Sequence, residues 1–167
     1  MARSKALPDI SYRALTPPWA PAVDLFRFAG AWAPLPESVV SGWGAWEGER
    51  LRGALLAERA GASAMLHGPV VVVPPEAPLE IGIEVADQLV AEALSQAQAA
   101  GIGTFFTRPQ GLDRVWIRSG FIPVPEVELP PALRERPGLG LFGWRGGTAL
   151  WSAAGRGAPR ARQVPTR

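Results

Sequence analysis

Cysteine is absent from this sequence, histidine occurs once, as His67, and tyrosine once, as Tyr12. Without cysteine there are no disulfides, no thiolate metal ligands and no thiol nucleophile. A single histidine also excludes a histidine-rich metal cluster. No apolar run approaches the ~20 residues of a membrane span. The opening MARSKALPDI carries basic residues with no apolar stretch behind them, so it does not read as a secretory signal. The expectation is a cytoplasmic protein with no membrane partner.

Positive charge is missing from the middle of the chain. No lysine or arginine lies between Arg59 and Arg108, while Glu76, Glu80, Glu84, Asp87 and Glu92 all do. The formal net charge of +2 arises at the end: the last fifteen residues hold Arg156, Arg160, Arg162 and Arg167 and no acid, and the rest carries 13 basic and 15 acidic residues. A basic tail of this kind suits contact with nucleic acid or an acidic surface, or simply a solvated end. The second reading makes a nucleic-acid partner the lesser expectation.

What is present suits one folded domain. The chain has 167 residues, 47% of them hydrophobic, enough to bury a core. The pattern divides it into a flexible N-terminus over 1–8, a domain over 9–151 and a basic tail over 152–167. Residues 9–15 alternate like a strand. Residues 19–29 follow a helical stripe, and Pro36-Glu37-Ser38 opens a short helix. Strands are expected over 42–47, 51–59 and 64–73, the first two joined by a turn at Glu47-Gly48-Glu49-Arg50. The clearest helix runs from 81 to 100, with its stripe at Val85/Ala86, Leu89/Val90, Ala93/Leu94 and Ala97 and a stop at Gly101. A strand over 102–107, a helix over 112–119, a weak strand over 121–129, a charged loop over 130–138 and a last strand or hairpin over 139–151 complete the order. The fold class is α/β (α+β): a mixed, mostly antiparallel sheet with helices on both faces.

Two local features carry a resemblance. One is the long helix stepping through Ala99-Ala100-Gly101-Ile102 into a short strand. The other is Trp116-Ile117-Arg118-Ser119-Gly120-Phe121, a helix end of the form aromatic-x-x-x-Gly-Phe. Together with the element order, they make residues 9–151 resemble the GNAT N-acetyltransferase superfamily. The resemblance implies acetyl-coenzyme A as cofactor, held along the fourth strand and at the start of the main helix. That places cofactor contacts at Val71, Val72, Val73, Ile81 and Gly82. It implies an amine acceptor, small molecule or protein, and leaves a homodimer open.

The cofactor loop departs from the family pattern. Residues 73–82 hold three prolines, which donate no N–H, and one glycine in place of two or three. Trp116 stands where the family carries the tyrosine that protonates the leaving thiolate, and an indole N–H donates a hydrogen bond but is no acid near neutral pH. The remaining candidates for acid–base work are Glu58 and His67. Glu58 also reads as an exposed edge charge beside Arg59, and His67 as a packed strand residue. Trp19, Trp32, Trp43 and Trp46 crowd the first third, as pocket walls or as ordinary core. Gly138-Leu139-Gly140 and Gly146-Gly147 read as turns. The expected function is acyl-coenzyme A-dependent N-acyl transfer with a divergent cofactor site. The alternative is a GNAT-fold binding module without catalysis.

Overall fold

Hairpins organise the first half of the chain. Gly48 takes φ +58 and Gly61 φ +60, left-handed values that glycine adopts without a Cβ penalty, and each lies in a tight turn. They join β2 (Ser41–Glu47) to β3 (Arg50–Ala60) and β3 to β4 (Ser63–Val71). β1 (Ile10–Leu15) pairs antiparallel with β2. The computed structural model describes residues 9–109, 111–134 and 150–155.

Alternation along β3 sends side chains to two layers. Leu55 and Ala57 join the cluster under the long helix α2 (Leu79–Ala99). Ala54 and Leu56 pack on the other face, against Trp19, Ala22 and Phe26 of α1 (Ala20–Phe28) and the residue before it. The apolar stripe of α2 is buried as its spacing requires, with Ala86, Leu89, Val90 and Ala93 at 0% exposure. Gly101 ends the helix with φ +90. β5 (Thr104–Thr107) follows and pairs parallel with β4. Helix α3 (Asp113–Arg118) packs on the α2 side, where Trp116 meets the ring of Phe121 edge-on, centroids 4.8 Å apart.

Among the described residues the sheet has seven strands in the order β1-β2-β3-β4-β5-β7-β6, with only β4–β5 parallel. Three sequence expectations change here. The strand expected over 121–129 shrinks to β6 (Ile122–Pro123), because Pro125 has no N–H to extend the ladder and a 3-10 turn takes Glu126–Glu128. The loop expected over 130–138 begins with a short helix, α4 (Pro131–Arg134), whose Leu133 is fully buried. The last strand, β7 (Trp151–Ala154), starts where the domain was expected to end. Residues 152–154 therefore lie in the sheet, held between β5 and β6, and not in the tail. Residues 1–8, the glycine turns at 138–140 and 146–147, the hairpin expected over 139–148 and the arginine tail from 156 onward lie outside the described residues.

No helix among the described residues is long and apolar enough to cross a membrane.

Candidate active site

Pairing between β4 and β5 stops at Leu66 and Thr107, where the buried Thr107 hydroxyl donates to the Leu66 carbonyl at 3.1 Å. Two features part the strands beyond that point. On β4, Gly68 and Pro69 together face one residue of β3, since Leu56 pairs with His67 and Ala54 with Val70. This bulge bends β4 away. On β5, Pro109 has no N–H to extend a ladder. Gly68 sits at φ +96, and a Cβ there would lie 3.0 Å from the Ala54 carbonyl and from the Phe26 ring, so glycine is required on both counts.

The gap is a cavity of about 40 Å³, walled by His67, Gly68 and Pro69 of β4, Trp32 of the loop after α1, Arg108, and Trp116 of α3. A single water needs at least about 10–15 Å³ by this measure, so the cavity takes a group of a few atoms.

The β3–β4 register brings Glu58 and His67 together. Ala60 faces Ser63 across the tight turn, so Glu58 faces Met65 and lies diagonal to His67 on the same sheet face. His67 Nε2 and Glu58 Oε2 are 2.9 Å apart. Glu58 is 1% exposed and His67 6% exposed. The exposed-edge reading of Glu58 is therefore corrected: its neighbour Arg59 turns outward and donates to the Gly61 carbonyl instead. The tight turn at Gly61 was the signal for this pairing, since a two-residue turn sets which residues of two strands face each other.

Three further residues complete the wall, and the sequence singled out only part of this. The Trp32 ring lies 5.1 Å from the His67 ring. Trp19 and Trp43 are core, at 8% and 4% exposure, so the tryptophan cluster divides between core and cleft. Arg108, with its side chain 9% exposed, makes a two-pronged ion pair with Glu126, Nη2 to Oε2 at 2.7 Å. The hydrogen bond from Arg108 holds the Glu126 carboxyl below its ordinary value, against a smaller opposing effect of burial. Trp116 is 0% exposed, and its Nε1–H is buried with no hydrogen-bond partner among the described residues. Tyr12 lies elsewhere, beside Glu84 and Gln88 of α2, where burial and then the Glu84 charge push its phenol up.

The expected cofactor contacts sit further along β4. Val71, Val72, Val73 and Ile81 line a separate cavity of about 250 Å³, with Pro74, Pro78 and Val85 as further apolar wall. Val72 N–H donates to the Arg52 carbonyl at 2.7 Å. The N–H of its strand neighbour Val71 therefore points to the opposite edge, where β5 has already ended. A Cβ on Gly82 would meet nothing nearer than Val73 Cγ2 at 3.9 Å.

A coenzyme A thioester fits this chain at one end only. Where the resemblance places the acyl end there is a small cleft lined by His67, with the Trp116 Nε1–H unpartnered among the described residues. The diphosphate end has proline-rich backbone, with Ala77 N–H already donating to Pro74 and Ile81 N–H to Pro78, and an acid, Glu80, in the first helical turn. Among the described residues no three His, Cys, Asp or Glu side chains are grouped to hold a metal ion.

Neither a family model nor a curated protein matches the sequence. Solved structures do match the fold. The ribosomal-protein-S18-alanine N-acetyltransferase from Escherichia coli superposes with a TM-score of 0.58 at 10% identity, covering 94% of this chain and 99% of the enzyme. A putative acetyltransferase of the GNAT family from Desulfovibrio desulfuricans gives 0.58 at 14% identity, covering 87% and 98%. N-acetylglutamate synthase from Neisseria gonorrhoeae, complexed with coenzyme A and L-arginine, gives 0.59 at 16% identity over 87% of this chain. The chain spans about a third of that synthase, 33% of its length. The fold is that of the GNAT superfamily.

Proposed function

We propose that this GNAT-fold chain is an N-acyltransferase that moves a small acyl group from a thioester to an amine, with His67 as the base. The buried Glu58–His67 pair, whose His67 member lines the cleft, carries this reading. A carboxylate accepting from Nε2–H leaves Nδ1 as the proton acceptor and stabilises the imidazolium that forms. A thioester supplies an activated carbonyl whose C–S bond breaks as the N–C bond forms. His67 takes the proton of the attacking nitrogen. Trp116 Nε1–H offers a hydrogen bond to charge developing in the cleft, the kind of donor that acts best where water is excluded. It has no proton to give, so the imidazolium of His67 is the cleft group that returns a proton to the departing sulfur.

Acetyl-coenzyme A is the first donor to test, because the cleft admits only a small acyl group and the synthase neighbour is described with coenzyme A. The acceptor is a small-molecule or protein amine that enters beside Trp32. The experiment is acyl transfer to a broad amine panel, with calorimetry of donor binding. His67→Ala and Glu58→Gln are expected to lower kcat by about 10²–10⁴-fold, the usual contribution of a general base. Transfer that survives both substitutions would remove the pair from the reaction.

The second reading is a ligand- or protein-binding module without catalysis. The acidic, proline-rich diphosphate end favours it. Complete lack of transfer from every thioester tried, with folded protein and intact Glu58–His67 contact, would establish it over the first.

A further inference from the structure

We infer that the acyl donor is recognised by its thioester and the neutral arm next to it, and that a nucleotide diphosphate adds nothing to its binding. This rests on the acyltransfer reading and names its donor class: acyl thioesters whose thiol carries no nucleotide.

Two observations lead there. The first is the surface past the cleft. Beyond His67, β4 runs into a cavity of about 250 Å³ with apolar walls. Its charged members are Glu47, Glu76 and Arg52, and the Arg52 guanidinium is already taken by Glu47, with Nε and Nη2 each 2.7 Å from Oε2. A doubly charged diphosphate would exchange water for apolar wall and carboxylates there, which costs free energy. A neutral amide or alkyl arm would gain by the same burial.

The second is the start of α2. A helix N-terminus holds phosphate through free N–H groups, and the effect is strongest where no acid competes. Here the Ile81 N–H is already taken by the Pro78 carbonyl, and Glu80 places a carboxylate in the first turn. The nearest cation in the cleft wall, Arg108, is engaged by Glu126. Among the described residues, Arg52 and Arg108 are the lysine or arginine side chains that line the two cavities, and each is ion-paired with a glutamate.

An enzyme that grips the nucleotide uses that remote binding energy in the reaction, so truncating the donor costs it heavily in kcat as well as KM. Without that grip, truncation costs little. The test compares acetyl-coenzyme A with S-acetylpantetheine on the full chain, with one amine acceptor. kcat/KM values within tenfold of each other are expected; a loss of a hundredfold or more on truncation would overturn the inference while leaving the acyltransferase reading intact. Transfer from neither donor would count against the acyltransferase reading itself. Calorimetry with adenosine 3′,5′-bisphosphate then decides the donor question without catalysis: no binding below millimolar is expected, and micromolar binding would overturn it. The variant Glu76→Lys, on the exposed loop and outside the reacting groups, is expected to raise acetyl-coenzyme A activity relative to S-acetylpantetheine at low salt. An unchanged ratio would show that the acidic loop is not what excludes the nucleotide.

Discussion

The Glu58–His67 contact makes a stability prediction that does not depend on any substrate. Both side chains are almost fully enclosed, at 1% and 6% exposure, and their polar atoms are 2.9 Å apart. Removing His67 leaves the Glu58 carboxylate without this donor in a medium of low dielectric, a loss of about 3–5 kcal/mol. Native stability is only about 5–15 kcal/mol, so the loss is a large share of the total. At about 2–4 °C per kcal/mol for a domain of this size, His67→Ala should lower Tm by roughly 6–20 °C. Glu58→Ala leaves the buried Nε2–H without this acceptor and should cost less, about 1–3 kcal/mol. The double variant should be less destabilised than the sum of the two, with a coupling of about 1.5–3 kcal/mol, the range for hydrogen bonds to charged groups. The control is the exposed Arg27–Asp24 pair, with side chains 76% and 69% exposed, where Asp24→Ala should change stability by less than about 0.5 kcal/mol. Urea denaturation monitored by tryptophan fluorescence gives all four values. A coupling below about 0.5 kcal/mol would refute the reasoning, since it would mean the two groups are solvated or apart.

Trp116→Phe removes an N–H with no partner among the described residues but leaves a cavity in the core, so stability should fall by about 1–3 kcal/mol, while acyl transfer falls at least tenfold. Unchanged transfer would remove this N–H from the reaction. Gly68→Ala forces a Cβ into a left-handed position 3.0 Å from backbone and ring atoms, and should cost about 1–3 kcal/mol. Gly82→Ala meets open space inside α2 and should stabilise the chain by up to about 1 kcal/mol, leaving S-acetylpantetheine activity unchanged. Thermal melts compare the two. The Glu126 carboxyl is held below its ordinary value by Arg108, so its ion pair adds stability above that ordinary value and loses it as pH falls through the depressed one. Glu126 is 60% exposed, so the difference between wild type and Glu126→Gln should stay below about 1 kcal/mol at neutral pH and vanish once the pH is below the depressed value in a pH series of melts.

Long periodic elements were legible in the sequence because their period is their burial pattern. The stripe of α2 needed only the 3.6-residue spacing of Val85, Leu89 and Ala93, and the hairpins needed only their glycines. Short elements were not. β6 has two residues and α4 four, too few for any period, and what holds them is contact with β7 and the cluster around Leu133. β7 itself was misplaced against the tail, because its place between β5 and β6 is a pairing between distant segments.

The cleft divides in the same way. The sequence by itself determined the chemistry on offer: one histidine, no thiol, no tyrosine at the helix end, and a 60–107 stretch with acids and no cation. Only the tertiary structure decided what that chemistry can do. It turned Glu58 from an edge charge into the buried partner of His67, since register sets which strand residues face each other. It placed Arg108 against Glu126 and put Trp32 and Trp116 across the gap where β4 and β5 part, because a bulge at Gly68 ends their pairing. Residue types are local facts, but which of them share one small cavity depends on strand register and sheet order.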